Sequence, residues 1–212
     1  MLLYLSKKKK IRGWRRHVRK IEMWKQRVIN LDIRHLSRYQ RDYAKLWIHP
    51  FYAIPRKNPP RWYNQLLLEA MLEVYQSWLE KFTRLDESFY LKLWIYEPHF
   101  INSQVVTAYK DCLHFYDRTF DIGTQDRQFP FHKYPYLKEK LQRLDWRLHI
   151  DCDVYTESDL VDNICRGWMS FDESDAIKAK AHKVEEIRLT DGGIDKKYSV
   201  KVGDVWVGSL KN

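Results

Sequence analysis

Apolar side chains recur every four positions from Trp62 through Leu66, Ala70, Val74, Trp78 and Phe82, with Leu67, Met71 and Leu85 alongside. That period lines one side of an α-helix, and the flanking residues widen the stripe past half of the cylinder. A helix over 61–85 with so little polar surface must be covered on most sides. It therefore sets the centre of a core, and the rest of the chain has to supply the cover. Pro59 and Pro60 precede it, and proline, with its preset φ and missing backbone donor, suits a helix start.

After Asp86 the period changes. Residues 88–96, SFYLKLWIY, alternate with Phe89, Leu91, Leu93 and Ile95 on one side, which is the pattern of a strand. Residues 104–109 and 112–118 read as two further strands about a turn at Lys110 and Asp111. A loop over 120–135 and a short helix over 136–144 follow. Residues 145–155 alternate again, with Trp146, Leu148, Ile150, Cys152 and Val154 opposite Arg147, His149, Asp151, Asp153 and Tyr155. Thr156 or Ser158 can cap a helix over 159–168, a second short helix is predicted over 173–183, and the tail reads as two strands around Asp191-Gly192-Gly193.

Upstream of the long helix, Ile11, Trp14, Val18, Ile21 and Val28, with Trp24, mark an amphipathic helix over 11–30 that Asn30 or Asp32 can end. Leu36, Tyr39, Tyr43, Leu46 and Trp47 mark a second helix over 35–48. The order predicts an α+β fold, with N-terminal basic helices and a long buried helix packed on a mostly antiparallel sheet of about five strands. It is read as a single domain over 1–212, residues 1–10 forming a flexible basic segment.

With 44% hydrophobic and 15% aromatic residues in 212, the chain has the apolar mass for such a core. Seven glycines, no Walker motif and no GxGxxG sequence argue against a phosphate-cradling loop. Cys112, Cys152 and Cys165 are widely spaced and form no CxxC pair, which points away from a disulfide framework and towards a reducing, cytoplasmic setting. The opening MLLYLSKKKK puts its charge after a short apolar run, the reverse of a secretory signal. No stretch approaches the roughly 20 apolar residues of a membrane span.

Charge is strongly segregated. The first 66 residues hold eighteen Lys or Arg and three acids, whereas the remaining 146 hold twenty and twenty-five. Lys8, Lys9, Lys10, Arg12, Arg15, Arg16, Arg19 and Lys20 are the candidate anion-binding residues, because such runs suit phosphate backbones through counterion release. Trp14 and Trp24, set among them, could stack on bases, lie in an anionic membrane interface, or turn inward to the core. Acids of the remaining chain could neutralise part of this charge internally.

Other constellations are weaker. His149, Asp151 and Asp153 fall on one side of a predicted strand, where a His and two carboxylates could serve acid–base or metal chemistry; the alternative is a charged solvent face of an edge strand. His99, His114 and His132 lack metal-site spacing, and no cysteine or serine has a nucleophile context. The aromatic and proline stretch from Trp47 to Asn64 could form an anchor surface, or a loop pinned to the core by its own aromatics.

The segments RGWRRHVRKIEMW, YQRDYAKLWIHPF, NPPRWYNQLLLEAMLEVYQSW and FYLKLWIYEPHFINSQVV resemble a family of short proteins of unknown function from Bacillus-type Gram-positive bacteria. The resemblance covers about residues 10–120. It implies a cytoplasmic bacterial protein and transfers no catalytic residues. In general character the chain is also similar to immunity proteins and antitoxins, which neutralise a toxin by binding it. The expectation is thus a non-enzymatic, cofactor-free binding protein whose basic N-terminal surface docks an anionic macromolecule, nucleic acid or acidic protein. The alternatives are an immunity-like protein with one cognate toxin, and a hydrolase or nuclease built on His149, Asp151 and Asp153.

Overall fold

A computed structural model describes residues 13–32, 43–47, 60–85, 88–98, 100–109 and 127–210. The chain is α+β. In order it forms α1 (Trp14–Ile29), β1 (Tyr43–Trp47), α2 (Arg61–Phe82), β2 (Phe89–Glu97), β3 (Gln104–Tyr109), α3 (Lys138–Leu141), β4 (Leu144–Thr156), α4 (Glu157–Cys165), α5 (Phe171–Lys180), β5 (Lys183–Arg188) and β6 (Ile194–Leu210), with short 3-10 turns between. It divides into two compact units, Met1–His149 with Val205–Asn212, and Ile150–Asp204.

In the first unit α2 is the core, as its apolar period requires. Tyr63, Leu67, Leu68, Val74, Trp78 and Phe82 are wholly buried, and Trp62, Met71 and Tyr75 nearly so. Pro60 stands at its N-cap in extended conformation, and the Thr83 hydroxyl donates to the Leu79 carbonyl at its end. Ile21, Trp24 and Val28 of α1 share this core, as do Leu91, Leu93 and Ile95 of β2, Val105 of β3 and Trp206 of β6. Burying each such side chain fully stabilises the fold by roughly 1.5–3 kcal/mol. The opposite side of these strands joins Trp94, Val106, Val205 and Val207 in a smaller apolar cluster.

The strands run in the order β1-β3-β2-β6-β4, and β5 pairs with β6. β3 is antiparallel to β2, with Leu93 opposite Val105, and to β1, with Lys45 opposite Val106. β1 corrects the helix expected over 35–48. Five residues, YAKLW, are too few for periodicity to separate helix from strand, and the backbone ladder along β3 decides. α3 is also shorter than the expected 136–144, because β4 already begins at Leu144. The basic segment at 1–10, the helix over 35–42, the proline-rich stretch over 48–59, the strand over 112–118 with its turn, and the loop over 120–126 lie outside the described residues. Among the described residues, no helix is long and apolar enough to cross a membrane.

The second unit is built on local signals. Thr156 and Ser170 each close a capping box, accepting from the backbone N–H of Asp159 at 3.0 Å and of Glu173 at 3.2 Å. β5 and β6 form the expected hairpin, with Glu185 opposite Lys197. Its turn puts Gly192 at φ 86°, where a side chain would be strained, and the Asp191 carboxylate accepts from the Gly193 N–H at 2.9 Å. Glu157 ties the elements together by accepting from the Lys178 ammonium and the Tyr198 hydroxyl.

Trp78 combines complete burial with a hydrogen bond from its indole N–H to the Val28 carbonyl at 3.1 Å. Trp78→Ala should destabilise the first unit by about 3–5 kcal/mol, measured by denaturant unfolding. A loss below about 1 kcal/mol would show that α1 and α2 repack around the vacated volume.

Candidate functional site

The basic residues of α1 are placed against the ordinary preferences of a helix. Arg15, Arg16, Arg19 and Lys20 occupy its first two turns, and no acid stands in the first turn. Cations at a helix N-terminus oppose the macrodipole, typically at a cost of about 0.3–1 kcal/mol each. The pairs Arg15 with Arg19 and Arg16 with Lys20 also stand four residues apart, where like charges repel by a few tenths of a kcal/mol. Arg15, Arg16 and Arg19 are exposed and Lys20 is half-buried. Among the described residues none of the four enters an ion pair. Arg15 instead lies over the Trp14 ring, 5.6 Å from its centroid. Lys8, Lys9, Lys10 and Arg12 lie outside the described residues.

The C-terminal half of the same helix behaves differently. The Lys25 ammonium bridges Glu22 at 2.9 Å and Glu73 at 2.6 Å. Burial would lower the basicity of Lys25, but Glu73 and Glu22 outweigh it and hold the pKa above its ordinary value. Lys81 of α2 donates to the Ile29 and Leu31 carbonyls at the end of α1. These contacts fix α1 and leave its first turns unneutralised.

Trp24 is buried, so of the two tryptophans set among the cations it faces the core, whereas Trp14 is half-buried. Trp14 and Val18 open with Trp62 and Leu66 onto a cleft of about 350 Å³ between α1 and α2. Glu22, Lys25, Glu69 and Glu73 also line it, and these carboxylates are paired, Glu22 and Glu73 with Lys25 and Glu69 with Lys140. His17 lies edge-on to the Tyr63 ring at 6.2 Å. Burial, then the charges of Lys20 and Arg16, hold its pKa below the ordinary 6.5.

The His149, Asp151 and Asp153 candidate stands on β4. His149 is only 8% exposed, which corrects the alternative reading of its side of β4 as a charged solvent face. Asp151 is half-buried and Asp153 exposed. Among the described residues no group of three His, Cys, Asp or Glu could hold a metal ion. Cys152, expected in the core, is half-buried with its Sγ 3.7 Å from His182 Nε2. His99, His114 and Cys112 lie outside the described residues. His132 is exposed, and its carbonyl accepts from Arg61.

Sequence reading missed a second cleft, of about 370 Å³, lined by Arg61, Asn64, Tyr96, Glu97, Lys133 and Tyr134 among others. Its cations are already engaged: Arg61 donates to the Lys133 carbonyl at 2.6 Å, and Lys133 pairs with Glu97 at 2.6 Å. Burial, reinforced by Glu97, raises the Tyr134 hydroxyl well above the ordinary tyrosine range. The cleft staples α2 to the segment before α3 and leaves no charge poised for an anion. The partners are more than 35 residues apart in sequence, so only the folded chain reveals them. No family model, curated protein or solved structure matches the chain.

A lowered histidine pKa means that the unfolded chain binds more protons below about 6.5, so His17 should weaken folding as pH falls through that range. Nuclear magnetic resonance titration should show His17 below its ordinary value, and Lys20→Ala should move it upward. An unchanged titration in Lys20→Ala would exclude the charge contribution.

Proposed function

We propose that the chain is a non-enzymatic binding protein whose α1 outer face docks the phosphate backbone of nucleic acid. One observation carries the reading: Arg15, Arg16 and Arg19 are exposed, lack ion-pair partners among the described residues, and sit at the helix end where positive charge is least favourable. A polyanion removes that cost, since each phosphate supplies the missing countercharge and releases its own counterions. Lys8, Lys9, Lys10 and Arg12 precede α1 in sequence. Backbone contacts of this kind carry no base readout, so the expected binding tolerates sequence. A cytoplasmic setting belongs to this proposal, and the three widely spaced cysteines suit it.

Fluorescence anisotropy with labelled duplex and single-stranded probes tests the reading. Affinity should fall with a log–log salt slope of about −0.9 for each duplex phosphate engaged. The triple variant Arg15→Glu, Arg16→Glu, Arg19→Glu should abolish binding at about 50 mM salt without altering the circular dichroism spectrum. Binding of the triple variant equal to that of the parent, or no binding by the parent at that salt, refutes it. If the parent instead retains an acidic protein through the same arginines and neither nucleic-acid probe, the face serves a protein partner.

A further inference from the structure

The second unit exposes two large aromatic side chains. Trp168 is 72% exposed and Phe171 is 73% exposed. Three residues apart, their Cα atoms are within about 11 Å of each other. Both backbones are held in place. The Trp168 N–H donates to the Asn163 carbonyl at 2.9 Å, and Phe171 opens α5 directly behind the Ser170 capping box. Val161 of α4 is exposed as well. Burying these groups against a partner would recover apolar area that the isolated chain leaves in water.

The surroundings say what kind of partner fits. Residues 151–180 contain eight acids against three bases, Arg166, Lys178 and Lys180, and Lys178 is paired with Glu157. Asp172 and Asp175 are exposed and enter no ion pair among the described residues. Asp175 stands one helical turn from Phe171 and so shares its side of α5. Arg166 shows what this surface accepts: its guanidinium lies 5.0 Å from the centroid of the Trp168 ring and 3.7 Å from the Asp162 carboxylate. An indole beside a carboxylate is thus a seat for a guanidinium, where cation–π attraction and charge pairing act together. The sign of the field disfavours nucleic acid and anionic lipid here.

We infer that Trp168 and Phe171 anchor a docking surface for a basic protein partner, one presenting arginine next to apolar side chains, with Asp162, Asp172 and Asp175 as its charged rim. The aromatics supply the desolvated centre and the carboxylates steer the approach. The surface uses no residue of α1, so it stands or falls separately from the proposed nucleic-acid face.

The test uses the full chain and a fluorescein-labelled peptide of alternating arginine and leucine, read by anisotropy at about 50 mM and about 300 mM salt. The parent should bind, and Trp168→Ala and Phe171→Ala should each weaken binding about tenfold or more. Asp172→Asn with Asp175→Asn should weaken it and flatten its salt dependence. The Arg15, Arg16, Arg19 reversal should leave it unchanged. Unfolding curves of the two aromatic variants should match the parent, since both side chains are exposed. Three results overturn the inference: no binding by the parent at the lower salt; loss on removing charge with none on removing either aromatic; or a concentration-dependent dimer in sedimentation that Trp168→Ala abolishes, which would make a second copy the occupant.

Discussion

Helix α2 has almost no side it can show to water, and the first unit is arranged to satisfy it. Twelve of its 22 residues are buried. β2, β3 and β6 cover part of it, and α1 covers more through Ile21, Trp24 and Val28. The polar contacts between α1 and α2 gather at the C-terminal end of α1. The Trp78 indole and the Lys81 ammonium donate to the Val28, Ile29 and Leu31 carbonyls at and just beyond the end of α1. Lys25 adds its pairing with Glu73. Residues that meet these carbonyls thereby also hold the helix that carries the arginines.

That anchoring gives the charge of α1 its meaning. A solvated basic tail would say little, because surface charge is often unspent. Here the cations stand on a held helix, at its unfavourable end, while α4 and α5 follow the usual rule. Glu157 and Asp159 open α4, Asp172 and Glu173 open α5, and Lys178 and Lys180 close it. α1 departs from this rule, as does α2, which opens on Arg61 with no acid in its first turn; in α1 the departure involves three exposed arginines, and such local conflicts are expected at functional sites.

The legible parts of the fold were those determined within a few residues. The α2 stripe, the Thr156 cap and the Asp191-Gly192-Gly193 turn each follow from local chemistry, and the structure places each where the sequence does. β1 was not legible, because its state depends on β3, some 60 residues on. The burial of His149 was hidden for a related reason, since alternation names two sides of a strand and cannot say which of them is covered. Trp168 and Phe171 were hidden in the opposite sense. Large apolar residues default to the interior, so composition alone assigns them to a core, and only the fold shows them in water.

The two surfaces differ in more than sign. The phosphate binding proposed for α1 would be carried by charge, so salt would act on nearly all of it. At Trp168 and Phe171 the contact is divided. Salt screens the contribution of Asp162, Asp172 and Asp175, whereas burial of the indole and phenyl rings is insensitive to screening. Raising the ionic strength should therefore empty the basic face first and leave a residual affinity at the aromatic one. The size of that residue measures the apolar share of the second interface.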